Sequence, residues 1–441
     1  MRKFILEKSD DEFYTSHSGL ALVGLGVNRY TSLNAQLKRA MPDTKDIFNT
    51  DVIRSYLGLL SLGKSDFEAI ADMKNDRYFI EALGLKDVPS PETLRQRLDE
   101  TAKVFQPIVS LASPQFIHKS KGRITPLAMG HVALDMDVFT MDNSNTQKEG
   151  ATRTYRGYNG YAPIGAYLGA EGWCINLEFR EGSQHSQNNF IPFFKESITR
   201  ARLLTTRHLL TRIDSAHDAV ETRATCADLV KVDYILKWNP RQQNLAAWLE
   251  RGLQEGEVST PRPGKRVALF SFNQLQEYEG KEFSCRLVVK VTERTIDKRG
   301  QMLLLPEIEL EGWWTSLYLP EKEIIKLYQD HGTSEQFHSE FKTDMDLERL
   351  PSGKFATNAL IMSLAVLVYN ILRFIGQLGL LGDSSPVRHP AKRRRIRTVI
   401  QELMYRAARL IETGRKLKLR FSRHCAAFNA FQRVYVRLAS G

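Results

Sequence analysis

The first 125 residues or so read as helical, and from about residue 130 the spacing of apolar side chains changes to a period of two. Ser65-Asp66-Phe67-Glu68 has the form of a capping box, predicting a helix that runs to a stop at Gly84. Ser90 followed by Pro91 then predicts an N-cap and first turn for a second helix carrying Arg95 and Arg97. Two helices joined by a short turn are compatible with a DNA-reading helix-turn-helix, but helix pairs are common and the ordinary pair is the favoured reading.

Between His131 and Phe139 the alternation is strict. Val132, Leu134, Met136 and Val138 share one face, while Ala133, Asp135 and Asp137 share the other. Carboxylates in the middle of an apolar strand are costly to bury alone, so this strand requires partners for its acids. Strands over 162–168 and 173–180 follow as a hairpin around Gly169-Ala170-Glu171-Gly172. A helix over 187–204, a strand over 208–214 ending on Asp214, a helix over 217–230 and a strand over 233–238 complete the series. Three strands, helix, strand, helix, strand combines a meander with parallel crossovers, an α/β class. Strand-like runs at 267–272, 283–294 and 302–318 interrupt that rhythm as a β-rich insertion. An amphipathic helix from Pro320 through Lys342 and an apolar helix over 356–381 come after it. The most apolar window, Ala359 to Tyr369, is too short to span a bilayer and is followed by Asn370 and Arg373, so a buried helix is expected.

Composition adds charge to this outline. The 441 residues, 42% hydrophobic and 26% charged, exclude a disordered chain and call for more than one core. Residues 384–441 hold 15 Lys and Arg against two acids; of chain totals of 62 and 51, this leaves a near-neutral body of 47 basic and 49 acidic residues. A basic end on a neutral body suits a polyanion, because each cation that neutralises a phosphate releases counterions. The four cysteines, Cys174, Cys226, Cys285 and Cys425, are too dispersed for a zinc knuckle or a disulfide framework, which fits a reducing cytosol. The start, MRKFILEKSDDEF, lacks the apolar core of a secretory leader.

Three acids stand out: Asp137, Asp214 and Glu335. If the first and fourth strands are neighbours, Asp137 and Asp214 converge, and a packed helix brings Glu335 over them. Such a cluster repels itself unless cations sit in it, and carboxylate oxygens suit Mg²⁺ or Mn²⁺. Two ions would clamp the attacking and leaving oxygens of an in-line phosphoryl transfer. Asp135, on the same strand face, competes with Asp137 for the first position; Glu340 and Asp344 match Glu335 by residue type. At 100° per residue, Tyr328, His331, Glu335 and Lys342 fall within an arc of about 60°, although Gly332 is placed to start or kink the helix there. His185, His217 and His338 are lone histidines in polar segments and are not assigned as ligands.

Tyr328-x2-His331-x3-Glu335-x6-Lys342 resembles the Y-R-E-K signature of bacterial insertion-sequence transposases with a DDE catalytic domain, and the order LDMD, RIDS and this helix matches their three blocks. His331 stands where that family has arginine, and an imidazole lacks the bidentate phosphate fork. The resemblance implies a ribonuclease-H-like mixed-sheet core with a β-rich insertion, flanked by helical N- and C-terminal regions. On this reading 1–125 is a helical region with possible DNA binding, 126–240 the first part of the core, 241–320 the insertion, 321–383 its completion and 384–441 a basic tail. It further implies Asp137, Asp214 and Glu335 as catalytic metal ligands for Mg²⁺ or Mn²⁺, two ions. Tyr328, His331, Lys342 and the tail residues Arg393, Arg394 and Arg395 would contact DNA. The implied activity is cleavage at element ends and strand transfer of the 3′-hydroxyl into target DNA by a homodimer or larger synaptic complex, associated with a bacterial nucleoid in the cytoplasm and not with a membrane. In related transposases an aromatic side chain of the insertion stacks on a displaced base, a role open to Trp313 or Trp314, with Tyr155, Arg156, Tyr158 and Tyr161 crowding the loop after the first strand. A metal-dependent nuclease without strand transfer and a silent DNA-binding derivative are the alternatives.

Overall fold

The computed structural model describes residue 12 and residues 14–43, 46–383, 385–414 and 416–440; the side chains of His331, Thr333 and Ser334, and the stretch weighed as a leader, lie outside the described residues apart from Glu12. After the short strand β1 (Tyr14–Thr15), helices α1 (Leu20–Tyr30), α2 (Leu33–Ala40), α3 (Asn49–Ser61), α4 (Arg77–Leu83) and α5 (Pro91–Ser120) form the N-terminal region. The helix expected from Ser65 is two pieces. The Ser65 hydroxyl donates to the carbonyl of Asp346 at 2.6 Å, so Asp66 caps a 3-10 turn (Phe67–Met73) and Asp76 caps α4 by accepting from the Phe79 N–H at 2.9 Å. Gly84 ends α4 in the left-handed region at φ 61°, where a glycine meets no steric penalty. Ser90 caps α5 by accepting from the Thr93 N–H, with Pro91 in the first turn. Leu94, Leu98, Phe105, Val109 and Phe116 of α5 are all buried, which makes it a core helix.

The elements of the central sheet follow in chain order: β2 (Val132–Val138), the small strands β3 (Met141–Asp142), β4 (Thr152–Arg153) and β5 (Asn159–Tyr161), β6 (Ile164–Leu168), β7 (Trp173–Glu178), α6 (Phe190–Leu204), β8 (Leu209–Ile213), α7 (Val220–Asp228) and β9 (Val232–Lys237). The insertion comprises α8 (Leu245–Glu255), β10 (Glu257–Arg262), β11 (Lys265–Tyr278), β12 (Lys281–Ile296) and β13 (Met302–Thr315). Among the described residues nine strands form one sheet in the order β10-β11-β12-β13-β9-β8-β2-β6-β7. β2, β6 and β7 are an antiparallel meander, and β8 and β9 add in parallel beside β2. That arrangement is a ribonuclease-H-like mixed sheet. The insertion extends it: Trp313, Trp314 and Thr315 pair antiparallel with Lys237, Leu236 and Ile235, because the alternating apolar end of β13 leaves β9 no exposed edge.

Register sorts the side chains onto two faces. Leu134, Met136, Leu209, Ile213, Leu236 and Trp314 join the main core with α5, α6 and α11 (Phe355–Gly379). Leu210, Ile235, Val288 and Trp313 form a second cluster under Ile324 and Ile325 of α9 (Glu321–Gln329). The second face therefore carries Asp135, Asp137 and Asp214, and α9 lies on it. At the far edge Asn370 of α11 accepts from the Cys174 N–H at 3.1 Å and donates to its carbonyl at 2.7 Å, satisfying backbone groups of β7 that β6 does not reach. α11 has the length and apolarity of a membrane span, with a hydropathy of 1.9, yet 94% of that window is buried inside the protein.

The basic end of the chain folds back as α12 (Ile396–Val399), a π-helical turn (Ile400–Met404), β14 (Ala408–Thr413), β15 (Lys416–Phe421) and α13 (Phe428–Ala439). β14 pairs with both β1 and β15, and Arg29 of α1 donates to the carbonyl of Arg437 at 2.6 Å. Charge alone suggested a tail; Ala430, Phe431, Val434 and Leu438 of α13 are buried, and their packing holds the segment on the N-terminal helices.

Candidate active site

Asp137 lies at the end of β2. In the β2/β8 register Asp135 faces Arg212 and Met136 faces Ile213, and extended backbone at Asp214 (φ −74°, ψ 161°) carries the pattern one step further. Asp137 and Asp214 thus come side by side on neighbouring strands, whose spacing is about 4.8 Å. Across β2 the partner of Asp137 is Gly165, and the Tyr167 ring of the same strand β6 lies over that glycine, about where its side chain would stand, 2.9 Å from the position of a Cβ.

Glu335 arrives from above. The amphipathic segment breaks where Gly332 stands: α9 ends at Gln329, a 3-10 turn spans Asp330–Thr333, α10 covers Ser334–Ser339 and a π-helical turn covers Glu340–Asp344. The single continuous face expected from 100° spacing is therefore bent. Phe337 anchors α10, its ring 4.9 Å from that of Tyr167 and against Gly172, where a Cβ would come within 2.2 Å of the phenyl. Two residues earlier, Glu335 is exposed. It shares with Asp137, Asp214, Tyr328, His338 and Lys342 the wall of one open cavity of about 730 Å³.

The rival acids have other partners. Both Asp135 oxygens accept from Arg212, at 2.6 and 2.7 Å, and Arg212 also donates to the Leu327 carbonyl at the end of α9, at 2.7 Å. This buried fork ties β2 and β8 to the glutamate-bearing segment. Glu340 is buried against Arg373 and accepts from the Ile396 N–H at 3.1 Å, and Asp344 is buried against Arg395. Of the acids compared by residue type, the exposed one in the cavity is Glu335.

Around the carboxylates, Lys342 donates to the Thr140 carbonyl and pairs with Glu348, both at 2.9 Å. Burial, then the carboxylates of Asp214, Asp137 and Asp135, push the Tyr328 phenol well above its usual range, so it stays protonated. His338 is buried, stacked on Phe139 at 4.5 Å with Nδ1 3.9 Å from Asp137. Tyr155 and Arg156 line the same cavity, and Tyr155 is exposed. Both insertion tryptophans are core residues: Trp313 lies 6.3 Å from the Tyr328 ring and Trp314 under Arg223 at 4.7 Å.

Arg393 lies over the Phe337 ring at 4.4 Å and donates to Gln336 at 2.7 Å. Arg394 donates to the carbonyls of Leu380 and Val387, both at 2.8 Å, and Arg395 bonds Asp344 at 2.8 Å and Ser339 at 2.9 Å. The residues that reading along the chain missed are Arg212 and Glu348. For Arg212 a signal existed: the buried strand Leu209–Ile213 contains one charge, and the acids of β2 needed a cation.

His217, three residues beyond Asp214, stacks on Phe190 at 3.9 Å, and burial, with smaller contributions from Arg180 and His185, pushes its imidazole down to about 3. Unfolded, the group titrates near 6.5, so the unfolded state takes the proton first as pH falls. Its contribution is intact above about pH 6.5 and is lost as pH drops toward 3, by roughly 2 kcal/mol at pH 5. Urea melts at pH 7 and 5 should show this loss in the parent and a smaller one in His217→Phe; equal losses would place the acid sensitivity elsewhere.

Three carboxylates around an open polar cavity make an all-oxygen donor set, which fits Mg²⁺ or Mn²⁺. A family model described as transposase DDE domain group 1 matches residues 3–440. Among solved structures, the chain matches the cryo-EM structure of a piggyBac transposase synaptic complex with hairpin DNA, at 11% identity over 88% of this chain and 80% of that one, with a TM-score of 0.40. No curated protein matches.

Proposed function

The chain belongs to the transposase DDE domain group 1 family, and from that premise we propose that it moves an insertion sequence by cutting phosphodiesters at the element's ends and joining the freed 3′-hydroxyl to target DNA. The observation that carries this reading is the shared cavity of Asp137, Asp214 and Glu335 on one face of the sheet. Mg²⁺ or Mn²⁺ held by these three would supply Lewis-acid stabilisation of charge on the phosphate oxygens. The protein's own groups do the positioning. Asp137 and Asp214 are fixed by strand register, Glu335 by the Phe337 anchor, and the bent segment leaves the third carboxylate facing solvent, where DNA can reach it. Lys342, steadied by Thr140 and Glu348, offers an ammonium to a backbone phosphate. Tyr328, kept neutral, donates a hydrogen bond without adding negative charge.

The test follows a 3′-end-labelled terminal-repeat fragment into plasmid in Mg²⁺. Label in plasmid is the expected result. Cleavage without joining would support the nuclease reading, specific binding without release the silent derivative, and neither binding nor cleavage would remove DNA processing altogether.

DNA contact has a second candidate surface. On β15 and its partner strand, Lys416, Lys418, Arg420 and Arg409 are all exposed, while Leu419 and Phe421 turn inward. Deleting 388–441 would remove core packing, so charge removal is the cleaner experiment. Changing Lys416, Lys418 and Arg420 to Ser together should reduce the slope of log K against log salt by roughly 2 to 3, at about 0.9 per phosphate contact. An unchanged slope would leave this hairpin off the DNA. Two ends must be brought together for transposition, so the working species is a homodimer or larger synaptic assembly.

A further inference from the structure

The opposite end of the same strands holds a second set of donors. His131 immediately precedes β2, His208 immediately precedes β8 and Asp233 is the second residue of β9. Val132 faces Leu209 and Leu210 faces Asp233, so one step back along the register sets His131 beside His208, on the sheet face that also carries Asp233. The imidazole rings are 5.4 Å apart, edge to face, and one nitrogen from each ring and one Asp233 oxygen lie within 4.8 Å of one another. His131 Nε2 is 2.8 Å and His208 Nδ1 4.0 Å from the same oxygen, Oδ2; the other, Oδ1, accepts from the Ser316 hydroxyl at 2.8 Å. Six residues of extended chain separate His131 from Asp137, roughly 20 Å. This cluster is therefore outside the cavity of Asp137, Asp214 and Glu335.

We propose that His131, His208 and Asp233 bind one Zn²⁺, with water completing the coordination, as a clamp on the starts of the three central parallel strands. Two imidazoles and a carboxylate are a nitrogen-rich set suited to zinc, in contrast to the all-oxygen set at the other end of the sheet. A tetrahedral ion with bonds of about 2.0 to 2.1 Å separates its ligand atoms by about 3.3 Å, between the 2.8 and 4.0 Å found here. His208 is exposed, so its ring can close the longer gap. Ser316 supplies the outer hydrogen bond that orients a ligating carboxylate. Because the ion binds only the folded arrangement, its binding stabilises the sheet. The proposal does not depend on DNA processing.

The experiment measures zinc in full-length protein after gel filtration from Zn²⁺. The Asp137→Asn/Asp214→Asn variant, which weakens binding in the other cavity, is the reference. It should retain about one equivalent and melt about 3 °C higher with zinc at 100 times its Kd. Adding His208→Ala should abolish both, and His208→Cys, which restores a zinc ligand, should recover them. Zinc content and melting shift unchanged by His208→Ala, or no zinc retained by the reference protein, would overturn the proposal.

Discussion

Asn in place of Asp137 or Asp214 is expected to abolish nicking in Mg²⁺, by roughly 10³-fold or more, while specific DNA binding and the melting temperature stay near those of the parent. Loss of one anionic ligand removes the charge that holds a divalent cation, and a deficit of about 4 kcal/mol in transition-state stabilisation corresponds to that factor. Groups that act as a unit lose little more when both are removed, so the double substitution should be no worse than the weaker single one. Asp137 and Asp214 are both half-exposed, whereas Asp135 is buried in its pair with Arg212, which is why stability should be spared. Asp135→Asn provides the contrast: it removes the charge that pairs with buried Arg212, so its main effect should be on folding. Retained nicking in Asp214→Asn, measured on labelled end fragments, would take this residue out of the chemistry.

Arg212→Met is expected to cost about 3 to 5 kcal/mol of folding stability, because it strands the Asp135 carboxylate at 2% exposure without its partner. Activity should fall as well, since the same guanidinium holds the Leu327 carbonyl and with it the approach of α9 to the cavity. The double variant Asp135→Leu/Arg212→Met separates the two roles. An apolar pair of similar volume is often neutral relative to a buried ion pair, so denaturant melts should return most of the loss. Nicking should not return in step, because α9 lacks its tether. A single variant within 1 kcal/mol of the parent would show that Arg212 is dispensable to the fold.

The period of two over 131–139, the glycine-flanked hairpin at 169–172 and the predominantly apolar stretch of 356–381 are local signals, and the elements they predict are present with small shifts of boundary. Local signals failed where a distant group competed for the same atoms. Ser65 has the chemistry of a helix cap, but its hydroxyl goes to Asp346, and no inspection of the neighbouring residues reveals that. The Arg393–Arg395 run looks like a free cationic patch until Phe337, the Leu380 carbonyl and Asp344 are found around it.

By itself the sequence determined the main strands of the central sheet and the buried apolar helix, and, through the spacing that resembles a known signature, which acids to consider. Only the tertiary structure separated Asp137 from Asp135 and Glu335 from Glu340 and Asp344, by giving Arg212, Arg373 and Arg395 to the acids that are buried and leaving the others at an open cavity. Covalent order sets periodicity because side-chain direction repeats every two or 3.6 residues, whereas the pairing of charges depends on which segments the packing of the whole chain brings within a few ångströms.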